Sequence, residues 1–325
     1  MSGSSNAPVE REITVLGGIN MDLVMHLDRL PVPGESRRAQ GFGSFPGGKG
    51  ANQAAACAKL GVRTTFISAL GEDGFGISLR GQMESFGVDM RFVPVKQQAP
   101  TGTAMIMVGG NGQNLIAFSP GAAAKLSVDE IAHAIKAASP GSLFLTQAEL
   151  GCDLVFQALK LAKEHGLTVI WNPAPAPQVE VPADVIRAVD FVIPNESEVT
   201  ALTGRSTESI DEAENALRAL RDQGYAHPVI TLGERGSIVL DGDRVRVIPA
   251  LRVDSVDATA AGDVFVGAFS TQLAAGLNTL QCLEFATRAA ALSTTRLGAM
   301  TSIPERAEVE AMNAAIQQER EGDVT

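Results

Sequence analysis

Aromatic side chains are scarce in this 325-residue chain, with one Trp, one Tyr and thirteen Phe against 45% apolar residues. That poverty, beside 33 glycines and many alanines, argues against an aromatic-rich sandwich and for tightly packed helices on a parallel sheet. Cysteine is also sparse. Cys57, Cys152 and Cys282 are odd in number and lack paired spacing. This excludes a disulfide framework and suits small buried hydrophobes in a reducing compartment. No basic stripe interrupts a net charge of −11, so a nucleic-acid backbone is not an expected partner. A phosphate ligand stays open, because local N–H groups and a metal bind phosphate whatever the total charge. No apolar run reaches bilayer-spanning length. Residues 1–12 are polar, without an apolar signal segment, and read as a loose, flexible tail. A cytoplasmic protein without membrane contact is expected, with residues 13–325 forming one α/β domain. Neither internal repeats nor low-complexity runs occur beyond the termini.

What the chain has is a rhythm of short apolar strands and helical patterns. Strands are predicted at Ile13–Leu16, Thr64–Ala69, Ser142–Thr146, Leu167–Trp171, Asp190–Ile193 and Val229–Leu232. Helices are predicted at Asn52–Leu60, Ile77–Phe86, Leu154–His165, Ser197–Leu202, Asp211–Gln223, Gly262–Ala275 and Thr279–Thr295. Such alternation implies a mostly parallel central sheet flanked by helices. Two segments, 20–46 and 97–120, break it. Leu23, Met25 and Leu27 alternate with polar or smaller neighbours, and Gly109-Gly110-Asn111-Gly112 separates two apolar runs as a hairpin turn would. Together they predict a small inserted β-sheet, a lid that must lie on the site or on a partner subunit.

The most informative stretch is Asp257-Ala258-Thr259-Ala260-Ala261-Gly262-Asp263. Small residues ahead of an apolar helix let the amides of Ala260, Ala261, Gly262 and Asp263 converge on an oxyanion at the helix N-terminus. A transferring phosphoryl group fits that description. Asp263, beside it, can take the proton of an attacking hydroxyl; the plainer alternative is an acid complementing the helix dipole. Gly47-Gly48-Lys49-Gly50-Ala51-Asn52 permits close backbone approach and adds a charge. It is no Walker A loop, since Gly-Lys precedes Gly rather than Ser or Thr.

These two segments resemble the two signatures of the ribokinase (PfkB-type carbohydrate kinase) family, in order and with the expected separation, over about Val15 to Pro304. The resemblance implies a ribokinase-like fold and ATP-dependent phosphorylation of a sugar hydroxyl with Asp263 as general base. Ribose is the first expectation; 2-deoxyribose, fructose, tagatose or a nucleoside are the rivals. It places the sugar among Asn20, Met21 and Asp22, the loop residues Gly48, Lys49, Gly50, Ala51 and Asn52, and Glu149, with Lys49 near the transferred phosphate. Without the family, Asn20 and Asp22 could satisfy their own backbone, Gly47–Asn52 could be a simple turn, and Glu149 could face solvent. Trp171-Asn172-Pro173-Ala174-Pro175 also looks like this family, though proline-rich strand exits are usually structural.

For ATP, the resemblance implies Asn195, the turn Thr231, Leu232, Gly233, Glu234, Arg235 and Gly236, then Ala260, Ala261, Gly262 and Thr287. Glu198 would order Mg²⁺ through water, as a hard cation that keeps its waters allows; a first-turn helix acid is the alternative. Asp257, Thr259 through its carbonyl, Ser293, Arg296, Gly298 and Ser302 resemble a site for K⁺ or another monovalent cation. A homodimer through the lid is expected. Ala258 replaces a usual Thr, Thr287 a frequent Asn, and Ala123 an Asn common in ribokinases. Two readings from other classes remain: a silent sugar-binding protein on the same fold, and a dinucleotide oxidoreductase. Val15-Leu16-Gly17-Gly18-Ile19-Asn20 lacks the G-x-G-x-x-G that the oxidoreductase would need.

Overall fold

Runs of apolar residues with no polar face need cover on both sides, and the chain supplies it. A computed structural model describes residues 11–313. Strands β1 (Ile13–Leu16), β2 (Asn20–His26) and β3 (Gly41–Gly47) lead into helix α1 (Lys49–Lys59). β4 (Thr64–Ile67), β5 (Leu70–Gly71), α2 (Gly74–Ser85), β6 (Val88–Phe92) and β7 (Val95–Lys96) follow. Next come β8 (Gly102–Val108), β9 (Asn114–Ser119), α3 (Val128–Ala137), β10 (Leu143–Thr146), α4 (Cys152–Glu164) and β11 (Thr168–Trp171). The remainder is α5 (Ala183–Ala188), β12 (Phe191–Val192), α6 (Glu196–Thr203), α7 (Ile210–Gln223), β13 (His227–Thr231), β14 (Ser237–Asp241), β15 (Arg244–Ile248), α8 (Ala261–Ala274) and α9 (Thr279–Thr294).

Nine strands form the central sheet in the order β15-β14-β13-β12-β11-β10-β1-β4-β6. All pairs are parallel except β13–β14 and β14–β15. Successive residues feed opposite cores, as the strand period of two requires. Ile170 packs with α1, α8 and α9, while Val169 and Trp171 pack with α4 and α7. From β1 the chain works outward through β4 and β6 on one side. It re-enters at β10 on the other, so β1 and β10 flank the switch in strand order where α/β sheets bind ligands at their carboxyl ends.

A second sheet, β3-β2-β8-β9, stands apart within segments 20–46 and 97–120, with Gly47 completing β3. The loose-tail expectation for residues 1–12 falls mostly outside the described residues. Glu12 is tied down: its carbonyl accepts from the Leu143 amide at 3.0 Å and its carboxylate from the Ser139 amide at 3.1 Å. Several features differ from expectation, β6 and α5 among them. α1 starts at Lys49, inside the glycine loop. α3, capped by the reciprocal Ser127–Glu130 box, and the β14–β15 hairpin add elements the periodicity did not reveal. Among the described residues no helix is long and apolar enough to cross a membrane.

Candidate active site

The exits of β1 and β10 meet at two glycines. A Cβ on Gly17 would fall 2.1 Å from Gln147 Oε1, and one on Gly18 would fall 2.5 Å from Glu149 Oε2. Only bare backbone admits those side chains. The N-terminus of α1 closes on the same point: Ala51 donates to the Gly18 carbonyl at 3.0 Å, and a Cβ on Gly50 would meet Gly17 Cα at 2.5 Å. Gly48, at φ 94°, makes the turn into the helix. The Lys49 amide donates to Glu149 at 2.9 Å. Glu149 is therefore no solvent-facing loop acid, and burial pushes its carboxyl up to about 7 despite the neighbouring Lys49.

Asn20 and Asp22 are two apart on β2 and share a face, while alternation turns Met21 the other way into the core. The side chains of Met21 and Ala51 both pack into the core, leaving their main chain to face the site. Asp22 lies against Gly47, where a Cβ would meet its carboxylate at 2.1 Å. It has no hydrogen-bond partner among the described residues, and burial lifts it to about 6. The buried Asn20 Oδ1 and Asn52 Oδ1 are likewise unpartnered.

Asp263 opens the first turn of α8 yet is buried. Its Oδ2 accepts from Asn52 Nδ2 and its Oδ1 from Gln53 Nε2, both at 2.9 Å. That is more than a dipole-complementing acid makes. Lys49 is held above the ordinary lysine value, by Asp263 first, against burial, and then by Glu149 and Glu198. Asp263, Glu149 and Glu198 thereby all bear on one ammonium.

Ahead of α8, Ala260 takes left-handed φ 61°, the one non-glycine residue to do so among those described. Strain of this kind costs about 1–2 kcal/mol and aims the following amides. Ala261 donates back to the Ala258 carbonyl at 3.2 Å, so the anion hole is narrower than expected. The amides of Gly262 and Asp263 have no partner among the described residues, and a Cβ on Gly262 would meet open space. Gly262 lines a cleft of about 1200 Å³ between the ends of β12–β13 and helices α8 and α9. Asn195, Thr231, Gly233, Glu234, Arg235, Gly236 and Thr287 line it. Leu232 does not; its side chain is in the core. The Arg235 guanidinium is committed to Glu196 and to the carbonyls of Thr207 at 2.6 Å and Glu208 at 3.0 Å. It reaches the cleft as a fixed wall.

Asn195 and Glu198 form a reciprocal capping box: Asn195 Oδ1 accepts from the Glu198 amide, and Glu198 Oε2 from the Asn195 amide, both at 2.9 Å. Burial raises the Glu198 carboxyl above its ordinary value. Asp257 accepts from the Thr259 amide and hydroxyl at 2.9 and 2.6 Å and from the Gly298 amide at 2.9 Å. Burial opposes those bonds, but they prevail and hold it below the usual carboxylate range. Arg296 turns its guanidinium to Glu308, while its amide donates to the Ser293 carbonyl at 3.2 Å. Ser302 is buried and donates to Ala299.

Several cleft residues were not singled out from sequence. Arg252, Val253 and Ser255 lie in an irregular segment with no local signature. Ala290, Ala291 and Thr294 fall three, four and seven residues after the expected Thr287 on α9, a small-residue stripe that periodicity could have exposed.

Residues 10–306 match the profile of the pfkB family carbohydrate kinases. The chain belongs to that family. It is 34% identical over 300 residues to the ribokinase of Haemophilus influenzae, covering 92% of this chain and 97% of the relative. It is 33% identical over 293 residues to the deoxyribokinase of Salmonella typhi, covering 90% and 95%. A solved Arabidopsis thaliana ribokinase complexed with ribose and ATP superposes with a TM-score of 0.85 at 31% identity, over 93% of this chain and 98% of that one. The Thermotoga maritima ribokinase gives 0.83 at 35% identity, again over 93% and 98%. The ribokinase-like α/β fold expected from the two signatures is the fold observed.

Proposed function

We propose that this pfkB-family chain phosphorylates D-ribose at the expense of ATP. The observation that carries the reading is Asp263, buried between Asn52 and Gln53 and next in sequence to Gly262, which lines a cleft large enough for a nucleotide, with Lys49 and Glu149 on its sugar side. Asp263 takes the proton of the attacking hydroxyl. The sugar oxygen bonds to the γ-phosphorus as the bond to the β,γ-bridging oxygen breaks, and ADP leaves. The free amides of Gly262 and Asp263 receive the equatorial oxygens of the moving group. Asn20, Asp22, Asn52 and Glu149 bind the sugar.

The oxygen donors around Glu198 and Asn195 suit Mg²⁺, which prefers such ligands and needs few from protein. Bound with ATP, it would neutralise charge on the phosphates. The low-lying Asp257 carboxylate suits a monovalent cation such as K⁺ beside the anion hole. The small sheet acts as a lid and pairs with a second copy of the chain. A cytoplasmic setting fits three free cysteines.

Near-equal identity to a ribokinase and a deoxyribokinase favours 2-deoxyribose as the second reading. A panel of ribose, 2-deoxyribose, fructose, tagatose and nucleosides at fixed ATP and Mg²⁺, read by ADP release, separates them. No turnover of ribose sinks the specific claim. Calorimetric sugar binding without ADP release from any of them makes the chain a binding protein.

A further inference from the structure

The reading above uses Asn52 and Asp263 but leaves three buried amides beside them without a task. Gln53, Gln147 and Asn172 come from α1, the exit of β10 and the exit of β11, and Gln53 has no exposed surface at all. Gln53 Nε2 donates at 2.9 Å to Asp263 Oδ1 and at 3.0 Å to Asn172 Oδ1. Gln53 Oε1 accepts from Gln147 Nε2 at 2.6 Å. Asn172 Nδ2 in turn donates to the Ile193 carbonyl at 2.8 Å.

The polarity of this chain is set from its ends. Ile193 offers only an acceptor, so Asn172 turns its amide nitrogen there and its oxygen toward Gln53. Gln53 must then spend both N–H bonds on two acceptors, Asn172 and Asp263, and can use only its oxygen toward Gln147. Flipping the Gln53 amide would set oxygen against a carboxylate and a carbonyl at once. One carboxylate oxygen is therefore anchored, through two side chains, to main chain at the end of the parallel sheet. An Asp carboxylate free to rotate has no such anchor.

We propose that Gln53 is the positioning residue for the base: it fixes the rotamer of Asp263 and takes its own orientation from Gln147 and Asn172. The proposal rests on Asp263 being the base. Each carboxylate oxygen keeps a second lone pair, so Gln53 and Asn52 occupy the positions facing α1 and leave the others for the sugar hydroxyl. A hydrogen bond to a charged group is among the stronger ones available to a protein. Its loss leaves the carboxylate free to turn away from the hydroxyl it must deprotonate.

The test is steady-state kinetics on Gln53→Met, which keeps length and removes the donor. The expected result is a kcat about 10–100-fold lower, with KM for sugar and ATP within about twofold. In an Asp263→Asn background the same change should cost almost nothing more, because the two act as one unit. Native kcat in Gln53→Met would overturn the proposal, as would full additivity with Asp263→Asn, which marks mere packing. If Gln53→Met does not fold, Gln147→Met reads the same chain one bond further out. It should show a smaller loss of kcat with KM again unchanged; native kcat there overturns the proposal. Undiminished kcat in Asp263→Asn itself defeats the base assignment instead, so the two failures are distinguishable.

Discussion

Gly267 of α8 lies so close to Ala56 of α1 that a Cβ on the glycine would sit 2.6 Å from the Ala56 methyl and 3.1 Å from the Gln53 carbonyl. This contact sets the spacing of two helices whose first turns carry Lys49, Asn52 and Gln53 on one side and Asp263 on the other. The alanines of α1 are therefore a geometric device as well as a hydrophobic one. Bulkier residues would hold Asp263 beyond hydrogen-bond reach of both amides.

Gly267→Ala should accordingly act on stability and chemistry together. Overpacking a helix contact costs about 1–3 kcal/mol, read as a lower urea midpoint with unchanged slope. Because the shift falls on the base and its partners, kcat should drop more than tenfold, in line with the large effect of small misplacements. Lost stability with native kcat would show that α1 and α8 are not what aligns the base.

Asp263→Asn should fold, since Asn retains an acceptor for one of the two amide donors. It should lose roughly 10²–10⁴-fold in kcat, the usual scale for removing a general base. Calorimetry should still find both substrates binding. A folded variant with kcat within threefold of native would exclude Asp263 as the base.

Much of this arrangement was legible before any coordinates. β1 fell where the largely apolar run Ile13–Leu16 placed it, and the small residues before Asp263 pointed to a helix start there. What sequence did not reveal has identifiable causes. α1 begins three residues early because Gly48, not a side-chain cap, turns the chain. Met21 was grouped with Asn20 and Asp22 by adjacency, while the strand period sends it to the core. Gln53 is one polar residue in an alanine-rich helix, and its meaning depends on Gln147, Asn172 and Asp263, which lie 94, 119 and 210 residues away. Long-range amide polarity leaves no local pattern.

Two raised carboxyls predict how the enzyme responds to acid. Glu149, at about 7, and Asp22, at about 6, accept from sugar hydroxyls most strongly when ionised. KM for the sugar should rise as pH falls from 8 to 5.5. A flat sugar KM across that range would remove both carboxylates from sugar binding.

The same burial should destabilise the ligand-free fold at alkaline pH. Asp22 rises from an ordinary 3.8 to about 6 through desolvation alone. A raised folded value contributes stability that is complete below about pH 4 and lost as pH climbs through about 6. Asp22→Asn should then be more stable than native at pH 8 by roughly 1–3 kcal/mol, with the gap closing toward pH 4. Sugar affinity would fall in the same variant, as expected where function holds a group in a costly state. Scanning calorimetry at the two pH values decides it: a variant less stable than native at pH 8 contradicts the desolvation account.

The small sheet carries the last prediction. All six residues of its edge strand β9 are exposed. Met25, Phe42, Met105 and Leu115 share one face by register, and Phe45, Ile116 and Phe118 share the other; all are exposed. An unpaired edge strand with apolar residues on both faces invites pairing. A second copy of this chain, bearing the same surface, is the self-complementary partner that a two-fold axis supplies. Light scattering should therefore find a dimer. Leu115→Glu with Ile116→Lys, neighbours pointing to opposite faces of β9, should convert it to monomer and raise the sugar KM, because each copy would steady the other's lid. A native monomer at working concentration, or a variant that stays dimeric, would remove the sheet from the interface.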